Sequence, residues 1–205
     1  MRHLTKTLLL ATALLGACTP FQPPREEARS TWELNPELPS GMFASSDASL
    51  NVARPTAISA LATNDMAYRE SRYERRYYAR NQWVDAPARL LHPLFIDALE
   101  SAGLFATVVG SGGSAPTDYR LESELLEFEH DYTERDAGRA RVILRARLVE
   151  AGSGRVLSTQ RFRAEVDSRE AGPGAGVAAT NQAVSDLLRD MVRWLNAEIG
   201  EGLSS

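Results

Sequence analysis

Strict alternation of apolar and polar positions predicts long β-strands in the second half of the chain. Within residues 139–149, four arginines and Ile143 alternate with alanine, valine or leucine, which predicts a half-buried antiparallel strand. Residues 119–130 alternate in the same way, but the apolar parity shifts at Leu125 and Leu126. We predict a β-bulge at this shift, because one extra residue restores the register of the buried face.

Two other stretches have the period of an amphipathic helix. The first begins at Asp85, which can cap a helix, has Pro87 in its first turn and ends at Gly103. The second follows a glycine-rich loop at 172–176 and continues to Ile199. Their apolar stripes are Leu90, Leu91, Leu94, Phe95, Ala98 and Leu99 in the first helix, and Val177, Val184, Leu188, Met191, Leu195 and Ile199 in the second.

Shorter β-patterns occupy the rest of the chain. They lie at 30–34 and 50–53, as a pair within 66–83 around a turn near Glu70 and Ser71, at 104–109, and in a last strand with Phe162, Ala164 and Val166 after a turn at 152–154. A loop is predicted at 110–116. The sum is one α/β domain in which helices pack on a mixed, partly antiparallel sheet.

The N-terminus has the layout of a secretory signal. Basic residues precede an apolar run at 8–15, which is shorter than the roughly 20 residues that cross a membrane. The sequence Leu15-Gly16-Ala17-Cys18 resembles the lipobox of bacterial lipoproteins. We therefore predict cleavage before Cys18, lipid attachment at Cys18, a flexible tether at 18–29 rich in polar residues and proline, and a folded domain at 30–200.

Composition restricts the partners. Cys18 is the only cysteine, so the chain can form no internal disulfide and no thiol cluster for zinc. The formal net charge is −4, and it becomes −6 on removal of the leader, because Arg2 and Lys6 leave with it and no acidic residue does. An acidic mature chain disfavours nucleic acid as a partner.

A row of five carboxylates precedes a row of four arginines in the neighbouring predicted strand. A metal or acid-base cluster is one interpretation of the row, but opposite charges facing each other across two strands explain it without chemistry. We interpret the two rows as an exposed ladder of charge pairs. The residues are Glu122, Glu124, Glu127, Glu129 and Asp131, and Arg139, Arg141, Arg145 and Arg147.

Candidate catalytic residues are few. After cleavage only His92 and His130 remain as possible general bases, and neither lies in a nucleophile or metal motif. The glycine-rich stretches at 110–113 and 172–176 are not followed by the Gly-Lys-Ser/Thr of a phosphate-binding loop. We predict no enzymatic activity, no cofactor and no metal site.

The segment 66–83 combines aromatic residues with arginine, the residue types that are enriched at the centre of protein interfaces. It is either a partner surface or a half-buried sheet whose arginines face solvent. The residues that would form the partner surface are Tyr68, Tyr73, Arg76, Tyr77 and Trp83.

The order of several short motifs resembles the family of ABC-type transport auxiliary lipoprotein components, over residues 31–195. The motifs are Met66-Ala67-Tyr68-Arg69, Tyr77 to Pro87, Leu90, Leu94 and Leu99, Gly103-Leu104-Phe105 with Val108, Asp118-Tyr119-Arg120-Leu121 with Leu125, Glu127, Phe128 and Glu129, and Trp194-Leu195. The arginine-rich stretch 73–80 departs from the family pattern.

The resemblance implies a three-layer α/β fold and a non-enzymatic partner of a lipid transport system that contains an MCE-domain protein. It also implies a homo-oligomer. Thr19 follows the cysteine where an aspartate would favour the inner membrane, so we expect the periplasmic face of the outer membrane. A general outer-membrane assembly or structural lipoprotein without a transport partner is the alternative.

Overall fold

The computed structural model describes residues 28–41, 45–112 and 116–202. Cys18, the predicted leader and most of the predicted tether lie outside these residues. The strands are β1 (Ser30–Trp32), β2 (Ser46–Val52), β3 (Thr56–Ala57), β4 (Asp65–Ser71), β5 (Glu74–Trp83), β6 (Phe105–Gly110), β7 (Tyr119–Asp131), β8 (Arg139–Glu150) and β9 (Val156–Asp167). The helices are α1 (Pro87–Ala102) and α2 (Pro173–Gly202), and a short 3-10 helix spans Ser59–Leu61.

Strand β7 is the centre of the sheet. One edge pairs antiparallel with β8, which in turn pairs antiparallel with β9. The other edge pairs in succession with β2, β3 and β4, all parallel to it. Strand β6 lies beside β2, and β5 and then β1 lie beside β4. The three short strands thus share one edge of a single long partner.

The predicted bulge is confirmed. The register of β7 with β8 shifts between Leu125 and Glu127, where Leu125 lies opposite Leu144 and Glu127 opposite Ile143. Because of this shift, Leu121 and Leu125 before it and Phe128 after it are all buried. The sheet keeps one apolar face along its whole length.

Both predicted helices are present, but their starts differ from the prediction. Helix α1 begins at Pro87 after an Ala86 N-cap that makes no side-chain capping bond, and Asp85 instead accepts the Ala86 N–H and pairs with Arg89. The helix ends at Gly103, whose φ of 69° suits glycine. Helix α2 begins at Pro173, so most of the predicted glycine-rich loop is helical.

The two helices cover the same face of the sheet. Val52 and Leu148 both lie beside Leu121 in register, and these three residues belong to one buried core with Phe95 of α1 and Leu188 of α2. The mixed, partly antiparallel α/β class is confirmed. The described residues place one helix layer on one sheet layer, and no described helix covers the opposite face as a third layer would. In the described part of the chain, no helix combines the length and the apolar character needed to cross a membrane.

Candidate functional site

The hairpin of β4 and β5 carries the predicted partner residues. Its turn lies at Arg72 and Tyr73, two residues later than predicted, because Ser71 pairs with Glu74. Tyr73 therefore lies at the tip, where 95% of its surface is exposed. An exposed aromatic ring at a hairpin tip is available to a partner at little conformational cost.

Two more of these residues flank the tip. Arg76 forms ion pairs with Glu70 and Glu74, so its guanidinium is held along the hairpin. Tyr77 is 43% exposed, and its hydroxyl donates to the carbonyl of Ala60 at 3.1 Å. The tip therefore presents ordered polar groups around Tyr73.

The remaining two residues of the predicted surface point inward. Tyr68 is half-buried and its ring lies 4.6 Å from that of Tyr78. Trp83 is only 2% exposed and packs edge-to-face on Phe128 with ring centroids 5.3 Å apart. The assignment of Trp83 to the partner surface is wrong. Trp83 belongs to the buried core that also contains Leu91 and Phe95 of α1.

A buried hydrogen-bond network lies between the hairpin and α2. Thr180 Oγ1 donates to the Gly176 carbonyl at 2.8 Å, so it accepts from His130 Nε2 at 3.3 Å. The unprotonated Nδ1 of His130 then accepts from the Tyr78 hydroxyl at 3.2 Å. Tyr78 accepts in turn from Tyr132 at 2.7 Å. Every polar group in this chain of bonds has a partner, which fixes the tautomer of the imidazole.

Burial determines the protonation of this network. Desolvation lowers the pKa of His130 to about 4, against a smaller opposite effect from the backbone of Gly176. Desolvation also raises the pKa of Tyr78, and the hydrogen bond with Tyr132 adds to the increase. His130 is thus neutral at pH 7, with both ring nitrogens engaged. No sequence motif indicates this network, because its members are distant in the chain.

His92 serves the fold at a separate position. Its Nε2 lies 3.1 Å from the carbonyl of Val52, which also accepts a bond from Ser111 at 3.2 Å. The contact joins α1 to the end of β2. In the described part of the chain, no three His, Cys, Asp or Glu side chains are placed to hold a metal ion.

The charged rows lie on the sheet face opposite the helices. The predicted cross-strand pairing is confirmed: Glu122 lies opposite Arg147, Glu124 opposite Arg145, Glu129 opposite Arg141 and Asp131 opposite Arg139. The pair of Glu124 and Arg145, at 3.1 Å, is about 39% exposed on each side. At this end the exposed ladder is as predicted.

At the other end the interpretation as an exposed ladder is wrong. The side chain of Glu129 is completely buried between Arg69, with which it forms a short ion pair, and Arg75, whose Nε lies 2.9 Å from Oε2. Both arginines come from the β4–β5 hairpin, whose β4 pairs with the end of β7 in the same sheet. Alternation predicted the face on which Glu129 lies but could not predict what covers it.

Asp131 continues this buried end. Arg141 Nη1 lies 2.9 Å from Asp131 Oδ2, while its Nη2 lies 3.2 Å from Glu127 and its Nε lies 3.1 Å from Glu165. Burial alone would raise the pKa of Asp131, but hydrogen bonds from Thr133 and Arg141 outweigh it and hold the pKa below its usual value. The carboxylate is therefore an ionised part of the scaffold.

The fold defines a mixed α/β domain that solved proteins share. A crystal structure of a Xanthomonas campestris protein matches 86% of this chain and all of its own chain, with a TM-score of 0.78 at 22% identity. An uncharacterized protein matches with a TM-score of 0.66 at 17% identity, over 82% of this chain and 99% of its own. A hypothetical protein from Chlamydia trachomatis reaches 0.50 at 8% identity, over 75% and 98%.

The sequence gives the more specific assignment. The family model for the ABC-type transport auxiliary lipoprotein component matches residues 32–192. The chain belongs to this family, which confirms the resemblance inferred from its motifs. A search of curated proteins found no match.

Proposed function

We propose that this protein is a lipid-anchored, non-enzymatic auxiliary subunit of an ABC-type transport system that moves lipid through an MCE-domain protein. The family match over residues 32–192 carries the proposal, because the family comprises lipoproteins that assist ABC-type transporters. The MCE-domain partner is what the family resemblance of the motifs implies. The buried network supports a non-enzymatic role, since both nitrogens of His130 are engaged within the fold.

The anchor is the lipid on Cys18, at the periplasmic face of the outer membrane. Nine residues lie between Cys18 and the first described residue, Ala28, so the chain makes ten residue steps between them. A chain of that length reaches at most about 35 Å when fully extended. The domain would therefore work close to the membrane surface, with its movement limited by the tether.

The docking surface is the tip of the β4–β5 hairpin. Tyr73 and Tyr77 offer aromatic surface there, and the ion pairs of Arg76 hold the surrounding polar groups in place. A few ordered aromatic and arginine residues dominate the binding free energy of many interfaces. We therefore assign the contact with the MCE-domain protein to this tip.

Affinity purification of the protein from its native envelope after chemical cross-linking tests the partner. The native chain is expected to recover an MCE-domain protein, and Tyr73→Ala to recover at least fivefold less. Val156→Ala is the matched control, because Val156 is also exposed, at 50%, but lies at the start of β9. Absence of an MCE-domain protein from the native sample, together with unchanged outer-membrane permeability on deletion, would favour the structural lipoprotein alternative.

Cys18→Ser tests the anchor. Membrane fractionation should find native protein in the outer membrane and the variant as uncleaved precursor. Intact-mass measurement of the native protein should give the leaderless chain carrying acyl groups, whereas a free thiol at Cys18 would refute the proposal. Light scattering of the detergent-solubilised protein tests the proposed homo-oligomer, which a monomer mass would exclude.

A further inference from the structure

The charged face of the sheet has an excess of arginine at one end. Near Glu129 the arginines Arg69, Arg75 and Arg141 each pair with a carboxylate. At the opposite end, Arg54, Arg147 and Arg161 are exposed and make no ion pair with any residue in the described ranges. This end of the face is positive, although the protein as a whole is acidic.

The local carboxylates are already engaged. Glu122 lies opposite Arg147 in register, but its Oε1 pairs with Arg120 at 2.8 Å. Glu124 pairs with Arg145. Arg145 also lies directly opposite Arg161 on β9, and like charges in such a cross-strand pair repel each other. The two nearby carboxylates are thus paired with Arg120 and Arg145, which leaves the charges of Arg54, Arg147 and Arg161 uncompensated among the described residues.

A cleft lies among these arginines. The chain leaves the edge of β7 between Val52 and Thr56. At Thr56 it pairs with β7 again, and the Thr56 hydroxyl donates a hydrogen bond to the Ser123 carbonyl at 3.2 Å. The gap is a cleft of about 450 Å³. Its charged lining consists of Arg54, Arg145 and Arg147 with Glu122 and Glu124, and each of these two carboxylates already pairs with an arginine.

We propose that this arginine cleft, formed by Arg54, Arg145 and Arg147 with Arg161 beside it, binds the phosphate of an anionic phospholipid headgroup. Guanidinium groups bind phosphate oxygens in pairs of parallel hydrogen bonds, and a group of arginines can surround one phosphate. The cleft volume lies within the range of small-molecule sites, so the cleft suits a lipid headgroup better than it suits a protein partner. Lipid as the source of the phosphate rests on the proposed function.

Native mass spectrometry of the processed lipoprotein in nonionic detergent tests the assignment. The probes are phosphatidylglycerol, phosphatidylcholine with the same acyl chains, glycerol phosphate and a hexaglutamate peptide. The test variant combines Arg54→Gln, Arg147→Gln and Arg161→Gln. The control combines Arg29→Gln, Arg72→Gln and Arg169→Gln, which removes three other exposed arginines that have no ion pair among the described residues.

The native protein and the control variant should carry phosphatidylglycerol, and the cleft variant should carry at least tenfold less at the same melting temperature. Phosphatidylcholine should bind more weakly, because its choline cation is repelled by the arginines. Equal adduct levels in the two variants would overturn the site. The lipid assignment would be overturned if glycerol phosphate bound as tightly as phosphatidylglycerol. It would also be overturned if hexaglutamate displaced phosphatidylglycerol. Recovery of the MCE-domain protein is a separate measurement, so the two proposals can fail independently.

Discussion

Gly176 lies so close to His130 that a Cβ atom in its place would overlap the imidazole ring. The ring has no room to retreat, because Tyr78 and Thr180 hold its two nitrogens. Helix α2 therefore approaches the sheet at a point where only glycine fits.

Gly176→Ala should lower the free energy of unfolding by about 2 kcal/mol, the order of an overpacked core, despite the gain of about 1 kcal/mol from alanine in a helix. Urea denaturation measures this. Gly200→Ala is the control, since no atom lies within 4 Å of a Cβ placed there, and it should leave stability unchanged or raised. Equal shifts in both variants would show that His130 does not restrict the helix.

Stability should fall between pH 6.5 and pH 4 because His130 is buried in its neutral form. Its pKa is lowered to about 4 in the folded state, so the unfolded chain binds more protons in this window. The full stabilisation is present above pH 6.5 and is lost as the pH falls through 4. A shift of this size corresponds to roughly 3 kcal/mol.

The carboxylates act in a lower window. The pKa values of Asp131 and Glu165 are lowered from 3.8 and 4.5, so their contribution is lost only below about pH 4.5. Urea denaturation at pH 7, 6 and 5 therefore isolates His130. His130→Gln should be less stable at pH 7 and should show a flatter pH dependence from 7 to 5; an unchanged slope would contradict the assignment.

Glu129→Gln should cost about 3 kcal/mol of stability, because Arg69 and Arg75 would lose the buried charge that compensates both. Glu124→Gln is the matched control. It removes the same charge from the same strand, but its pair with Arg145 is 39% exposed, so the expected cost is below about 1 kcal/mol. Chemical denaturation in low salt compares the two. Similar losses would mean that burial of Glu129 adds nothing.

Truncation to alanine should lower the free energy of unfolding much more at Trp83 than at Tyr73. Trp83→Ala leaves a large cavity beside Phe128 and should cost about 4 kcal/mol. Tyr73→Ala removes an exposed ring and should change stability by less than about 0.5 kcal/mol. Thermal unfolding of the two variants measures the difference. If Trp83→Ala left the stability unchanged, the burial of Trp83 would be contradicted and its assignment to the partner surface would be restored.

Local pattern was sufficient to predict much of this fold. The alternation of residues 139–149 predicted β8, and the parity shift at Leu125 and Leu126 predicted the bulge that the structure contains. The apolar stripes predicted both helices. Each of these features depends on residues that are neighbours in the chain, so the sequence records them directly.

Features that depend on distant contacts were missed. The burial of Glu129 requires the hairpin to pair beside β7, and the network of His130 requires Tyr78 from β5 and Thr180 from α2. Gly176 looked like a loop residue but is a close helix contact. The arginine cleft depends on where β2 and β3 separate along β7, which alternation does not record.

The position of β7 affects the order in which the molecule can assemble. Strands β2, β3 and β4 are synthesised before β7, yet all three pair with β7, which ends at Asp131. The N-terminal half therefore cannot complete its sheet until most of the chain has been synthesised. The export proposed for this protein requires an unfolded chain, and a sheet that is completed late keeps the chain unfolded for longer.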